Sequence, residues 1–228
     1  MDERASPVTI AVLGGTGKEG KGLAYRWARA GYRVLIGSRA QEKAVAAAAD
    51  ISGMLGKKPS IAGLTNLQAA QEAQVVVLTV PYAAHAETLG SVREALAGKI
   101  LIDVTVPLVP PKVTRVQMPP AGSAAQEARQ ILGDTVEIAS AFHHISHEHL
   151  FSDGPIECDV LVTGTSKEAR ARTLELVAAA GLAGWDAGPL ENTVVLEGLT
   201  SVLININKIY RSTHSGIRIT GVERPHTP

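Results

Sequence analysis

The sequence predicts an α/β fold: a doubly wound, mostly parallel sheet of the Rossmann type, with a smaller C-terminal α/β part. Three observations carry this. Short β-branched apolar runs alternate with alanine-rich helical stretches along the N-terminal half. The first run, Val8 to Leu13, opens directly into Gly14-Gly15-Thr16-Gly17-Lys18-Glu19-Gly20. The continuous apolar run from Val75 to Val80 has the composition of a strand covered on both faces.

Each element follows in order. A helix runs from the glycine turn to about Ala30, Gly31 ends it, and Tyr32 to Ile36 is a second strand, closing a β-α-β unit of about 30 residues. Gln41 to Ile51 is helical by its alanines, Ser60 to Leu64 a strand, Asn66 to Glu72 a short helix, and Val75 to Val80 the next strand. Ala84 to Leu96 is predicted as a helix and Lys99 to Val104 as a strand. Pro107, Pro110, Pro111, Pro119 and Pro120 make the following stretch a loop or crossover. Ser123 to Ile131 is helical, and Val136 to Ala139 and Val160 to Thr163 are strands. Lys167 to Ala180 is a helix, Leu182 to Ala187 a short strand, and Asn192 to Tyr210 a final helix. Its apolar face carries Val194, Leu196, Leu199, Val202, Leu203 and Ile206 and suits a dimer interface. Arg211 to Pro228 is a polar tail without a period. The expected division is a dinucleotide-binding part over residues 1–140 and a small C-terminal part over 141–228.

Composition narrows the function. The 228 residues are 45% hydrophobic, enough for a core and against wholesale disorder. Lys plus Arg is 22 and Asp plus Glu is 22, so no net charge draws the chain to nucleic acid or anionic lipid. Cys158 is the single cysteine, which excludes an internal disulfide framework and a multi-cysteine metal site. Met1 to Pro7 lacks a signal-peptide layout, and no run approaches the ~20 apolar residues of a membrane span. A cytoplasmic protein with neither nucleic-acid nor membrane partners is expected.

Gly15-x-Gly17-x-x-Gly20 is a weak motif by itself; between a strand and a helix it becomes a dinucleotide-binding turn. Gly15 permits the tight turn, Gly17 the approach of a pyrophosphate, and Gly20 close helix–strand packing. The helix N-terminus offers free N–H groups to phosphate, and Thr16 adds a hydroxyl. An NAD enzyme places Asp or Glu at the end of the second strand, where a carboxylate would repel a 2′-phosphate. This chain has Gly37-Ser38-Arg39, with Lys43 a turn later, so NADP is favoured. Thr79-Val80-Pro81 and Thr105-Val106-Pro107 end two later strands, where such sheets bind ligands. Val80, Val104 and Val106 offer either apolar contact to a nicotinamide or plain core packing, and His85 either touches cofactor or caps a helix.

GGTGKEGKGLA (Gly14 to Ala24), IGSR (Ile36 to Arg39) with Lys43, and LTVPYAAHAET (Leu78 to Thr88) resemble the NADPH-dependent reductases of the deazaflavin coenzyme F420. SAFHHIS (Ser140 to Ser146) and DAGPLENTVVLEGLTSVLININ (Asp186 to Asn207) are similar to that family too. The resemblance covers about residues 8 to 210. It implies reversible hydride transfer between NADP(H) and F420, a Rossmann domain with a small C-terminal part completing the F420 site, and a homodimer. Carried over by motif, Thr16, Gly17, Lys18 and Glu19 fall in the phosphate loop, and Ser38, Arg39 and Lys43 at the 2′-phosphate. Val80 and Ala84 fall along the cofactor strand end, Ala141 near the nicotinamide, and His143, His144 and Ile145 near the deazaflavin. Lys18-Glu19 departs from the expected pattern, because a carboxylate beside a pyrophosphate is unfavourable unless it turns outward.

Hydride transfer between two heterocycles needs no protein nucleophile, only rings held within ~3–3.5 Å of attack distance in a dry gap. The sequence shows no Ser-His-Asp order and no lysine set for a Schiff base, so no catalytic side chain is expected. His143 and His144 are candidates to hydrogen-bond the pyrimidine edge of the deazaflavin. Lys208, Arg211 and Arg218 either meet an anionic F420 tail or form a solvated helix end. His143, His144, His147 and His149 with Asp153 have metal-like spacing, but on a strand-end loop no metal is expected. Two alternatives stay open: an NADPH reductase of an imine, ketone or metal ion, and a non-enzymatic NADP(H)-sensing module.

Overall fold

The computed structural model describes residues 8–56, 59–152, 154 and 156–225. The readings of Met1 to Pro7 and Asp153 therefore lie outside the described residues. The chain forms β1 (Thr9–Leu13), α1 (Lys18–Arg29), β2 (Arg33–Ser38), α2 (Gln41–Leu55), β3 (Ile61–Thr65), α3 (Asn66–Glu72) and β4 (Val75–Leu78). There follow α4 (His85–Val92), β5 (Ile100–Asp103), α5 (Ala124–Leu132), β6 (Glu137–Ser140) and α6 (His147–Leu150). The last elements are β7 (Asp159–Gly164), α7 (Lys167–Ala179), β8 (Ala183–Pro189) and α8 (Thr193–Tyr210).

One eight-stranded sheet runs β3-β2-β1-β4-β5-β6-β7-β8. The first six strands of that order are parallel, in the doubly wound Rossmann arrangement. β7 joins β6 antiparallel, through Ala139 opposite Gly164 and Ser140 opposite Thr163, and β8 lies parallel to β7. The sheet is therefore mostly parallel, and β7 and β8 extend it beyond β6.

Alternation along the strands divides the core. Ile10 and Val12 face a cluster that includes Leu23, Trp27 and Ile51 of α1 and α2. Ala11 and Leu13 face the opposite cluster, with Ala69, Leu89 and Ala128 of α3, α4 and α5. Alanine dominates the inner faces of α2, α3 and α5, which lets these helices sit close on the sheet.

Several boundaries differ from expectation: α2 runs on to Leu55, β2 to Ser38 and β8 to Pro189, and two further boundaries and one added helix have local reasons. β4 stops at Leu78 because its neighbour β1 ends opposite, at Leu13, and offers no further ladder. The helix expected over 84–96 is α4 flanked by 3₁₀ turns at Tyr82–Ala84 and Arg93–Leu96. Thr88 and Ser91 hydroxyls donate to the carbonyls of Ala84 and Thr88, a side-chain competition that loosens helices. α6 was not expected at all; it is only four residues long.

The polar tail is tied down. Asp159 is wholly buried, and its carboxylate accepts from Trp185 Nε1 (2.9 Å), Ile219 N (2.9 Å) and Arg224 Nη2 (2.9 Å). Its own N–H donates to Ile217 O at 2.8 Å. Asp159→Ala should leave these donors without an acceptor and cost about 2–3 kcal/mol in denaturant unfolding. Trypsin should then cut at Arg211 and Arg218 in the native state, followed by mass spectrometry.

Candidate cofactor-binding site

The site begins where β1 ends. Gly14 takes φ of +72°, and a Cβ there would stand 2.7 Å from Val80 Cγ1. Gly15 N donates to the carbonyls of Val12 and Gly37, both at 3.2 Å, which reverses the chain into α1. A Cβ on Gly20 would lie 2.9 Å from Gly15 Cα and collide with Thr79, so α1 reaches this depth only with glycine. Gly17 is the N-cap of α1 and makes no side-chain cap, which leaves first-turn N–H groups for a ligand. Asn66, at the start of α3, accepts from Gly14 N at 3.4 Å. A Thr65–Gln68 capping box sets where α3 begins, and this role of Asn66 escaped the sequence reading.

Around this turn lies a cavity of about 640 Å³. Thr16, Gly17, Lys18, Glu19, Ser38, Arg39, Lys43, Val80, Ala84 and Val106 all line it. Gly15 and Gly20 instead shape the turn, and Ala141 is wholly buried at the end of β6 without lining a cavity. At the far end, buried Ser38 accepts from Ala40 N at 3.3 Å, which leaves its O–H to donate. Arg39 and Lys43 are exposed and have no ion pair among the described residues. No acid lines this end of the cavity, and α2 opens on Ala40 without a side-chain cap. The residues present fit a dinucleotide with a 2′-phosphate.

A second cavity, about 340 Å³, shares Glu19, Val104, Val106 and Leu108 with the first. Its other walls include His143, His144, Ile145, Thr200 and Asn207, with Thr213 and Ser215 from the tail. The sequence reading missed Thr200, Asn207, Thr213 and Ser215, because nothing local marks them; α8 and the tail reach this wall only through the fold. Lys208 and Arg211 are exposed and line neither cavity, and Arg218 stands 3.7 Å from Glu157.

Both histidines are buried and neutral. His144 Nε2 lies 3.0 Å from Leu196 O, a carbonyl that can only accept, so Nε2 carries the proton and Nδ1 a lone pair. Ser140 donates its hydroxyl to Asp103 O and lies 3.0 Å from His143 Nε2, which fixes the same tautomer there. Burial, with His144 as neighbour, lowers the pKa of His143 to about 3, and burial lowers that of His144 to about 4. Both Nδ1 atoms are buried and lack a partner. Thr200 Oγ1 holds the His143 carbonyl at 3.0 Å. Among the described residues no three His, Cys, Asp or Glu side chains converge as metal ligands.

His85 lines neither cavity. It is fully buried, with Nε2 2.7 Å from Asp103 Oδ2, while Asp103 Oδ1 accepts from Thr105 N at 3.0 Å. Burial alone would lower its pKa, but the Asp103 hydrogen bond and the charges of Asp103 and Glu127 raise it. The pair thereby braces the strand end that carries Val106. Glu19 is turned inward rather than out: its Oε1 is buried without a partner, and desolvation lifts the carboxyl to about 8.

The fold and this turn define a Rossmann dinucleotide-binding oxidoreductase scaffold. Residues 9–107 match the family described as NADP oxidoreductase, coenzyme F420-dependent. The chain is 44% identical to the F420-dependent NADP reductase of Methanothermobacter marburgensis over 93% of its own length and 98% of the relative's. It is 39% identical to that of Methanocaldococcus jannaschii, over 94% and 99%. A crystal structure from Arthrobacter sp. FB24, of a candidate F420-dependent NADP reductase, superposes with a TM-score of 0.77 at 25% identity, covering 93% and 99%. The chain belongs to the F420-dependent NADP reductase family.

In a histidine NMR titration, the ring signals of His143 and His144 should not move between pH 8 and 5, and should report Nε2-protonated rings. His85 should titrate at a higher pH than an ordinary histidine, because the Asp103 hydrogen bond favours its charged form. A titration of His143 or His144 near pH 6.5 would contradict the buried, neutral assignment.

Proposed function

We propose that the protein transfers hydride reversibly between NADP(H) and coenzyme F420, with the dinucleotide in the larger cavity and the deazaflavin in the smaller. The observation that carries this reading is the wall of Val104, Val106, Leu108 and Glu19 that the two cavities share. When bound, the nicotinamide and deazaflavin rings supply the hydride chemistry themselves. The protein's part is to bind, orient and exclude water.

The uncapped first turn of α1 takes the pyrophosphate, with Thr16 beside it. Arg39 forks onto the 2′-phosphate, Ser38 donates its free O–H, and Lys43 adds a point charge. Val80, Val104 and Val106 give the ring end an apolar surface. The free Nδ1 atoms of His143 and His144 accept from the N–H edge of the deazaflavin pyrimidine. On this reading residues 141–228 complete the F420 site, and the protein works in the cytoplasm as a homodimer. Among the described residues no helix is long and apolar enough to cross a membrane.

Mixing the protein with oxidised F420 should bleach the deazaflavin band with NADPH and much less with NADH. Arg39→Ala should raise the KM for NADPH roughly 10- to 100-fold, the loss of about 1.5–3 kcal/mol of charged hydrogen bonding, with kcat little changed. Binding of NADPH without bleaching would overturn the reaction and turn the search to imines, ketones, metal ions or a sensing role.

Of the α8 face expected to pair, Leu196 and Leu203 are buried within the protein itself, so the dimer reading rests instead on Val195 (66% exposed), Val202 (43%) and Ile209 (62%), which repeat every seven residues. Light scattering should give a dimer for the native chain and a monomer for Val202→Asp.

A further inference from the structure

Glu19 is the one ionisable side chain, among the described residues, that lines both cavities. It stands in the first turn of α1, where the helix N-terminus favours an anion. Yet Oε1 is sealed from solvent with no donor to meet it, while the rest of the side chain remains partly open. Desolvation prevails and raises the carboxyl to about 8, so at neutral pH it holds a proton. The charged and titratable groups around it are few. Lys18 flanks it, Arg39 and Lys43 line the far part of the larger cavity, and His147 lines the smaller. His143 and His144 are neutral. Lys21 is engaged by Asp50 at 2.6 Å, and Glu148 of α6 by Thr213 at 2.9 Å. Glu19 has no ion pair with any of these among the described residues.

We propose that Glu19 reads the redox state of the dinucleotide: it is protonated beside the neutral ring of NADPH and ionised beside the cationic ring of NADP⁺. The inference rests on the nicotinamide lying at the shared wall, as proposed above. A positive charge within about 4–6 Å lowers a carboxyl pKa by about 1–3, enough to carry this one from about 8 to neutrality or below. Glu19 then breaks its O–H bond, keeps the electron pair as a carboxylate opposite the new ring cation, and releases one proton. Reduction of the deazaflavin consumes that one proton together with the hydride, which leaves NADPH with its electron pair. Charge, protons and electrons balance without a further reactant. The carboxyl that looks misplaced in a phosphate loop thus acts on the ring and not on the pyrophosphate.

The test needs no turnover. NADP⁺ and NADPH are titrated separately into the native protein and into Glu19→Gln by calorimetry, in two buffers of different ionisation heat, from pH 6.5 to 8. The Gln side chain has the shape of the protonated acid, so the variant keeps the fold. At pH 7 the native protein should release about 0.4–0.9 of a proton more on binding NADP⁺ than on binding NADPH. As pH rises from 6.5 to 8, its preference should shift toward NADP⁺, by at most about tenfold per pH unit, because binding that releases a proton strengthens with pH. Titration of the 2′-phosphate is common to both ligands and cancels in the comparison. In Glu19→Gln the two ligands should give equal proton counts and a flat ratio. Equal counts in the native protein, or a difference that survives in Glu19→Gln, would overturn the inference. Dinucleotide binding indifferent to Arg39→Ala would instead overturn the placement of the dinucleotide, and the inference with it.

Discussion

The depth at which α1 meets the sheet governs the site. Gly20 lets the helix press against Gly15 and Thr79, and Thr79 Oγ1 in turn donates to Leu13 O at 2.9 Å. With the helix seated there, its free N–H groups point into the groove at the C-terminal ends of β1 and β4, where doubly wound sheets open. A methyl at Gly20 would lift the helix and carry Thr16, Gly17 and Glu19 with it. The same seating brings Gly22 against Leu150, so α6 and the histidine-bearing loop before it lie on the outer face of α1. Arg26 adds to this with donors to the carbonyls of His149, Leu150, Ser152 and Ala180. One helix therefore sets both cavities.

Burial and the nearest charged partner together, more than residue type, set the pKa values of the ionisable groups here. His143 and His85 sit near opposite ends of one connected set of polar groups, through Ser140 and Asp103. His143 faces no carboxylate oxygen closely, and burial lowers its pKa to about 3; His85, just as buried, has Asp103 at 2.7 Å, which raises its pKa above the usual histidine value. Glu197 shows the same rule for acids. It accepts from the N–H groups of Ala124 and Ala125 at the start of α5, yet burial still raises it to about 8. Neutral histidines suit a cavity for a heterocycle, since each presents a lone pair without the cost of a buried cation.

The C-terminal part owes its position to two anchors. Glu197 fastens α8 to the N-terminus of α5, and Asp159 fastens the tail to β7 and β8. Together they bring Thr200, Asn207, Thr213 and Ser215 to the smaller cavity. These four are far apart from the glycine turn in sequence, and none belongs to a motif.

What the sequence alone determined is what local chemistry encodes. Period and composition placed the strands and most helices within a few residues, because strand alternation and helix stripes are local. The turn at 14–20 and Ser38, Arg39 and Lys43 could be picked out as residues that line one cavity, because a glycine turn and a strand end are contiguous in sequence. The missed element was α6, too short to show a period. Tertiary structure alone decided the rest: that Glu19 faces inward, that His85 is sealed against Asp103, and that an apparently featureless tail supplies cavity wall. Each of these depends on partners 18 or more residues away, or on burial produced by the whole sheet, and no window of sequence contains that information.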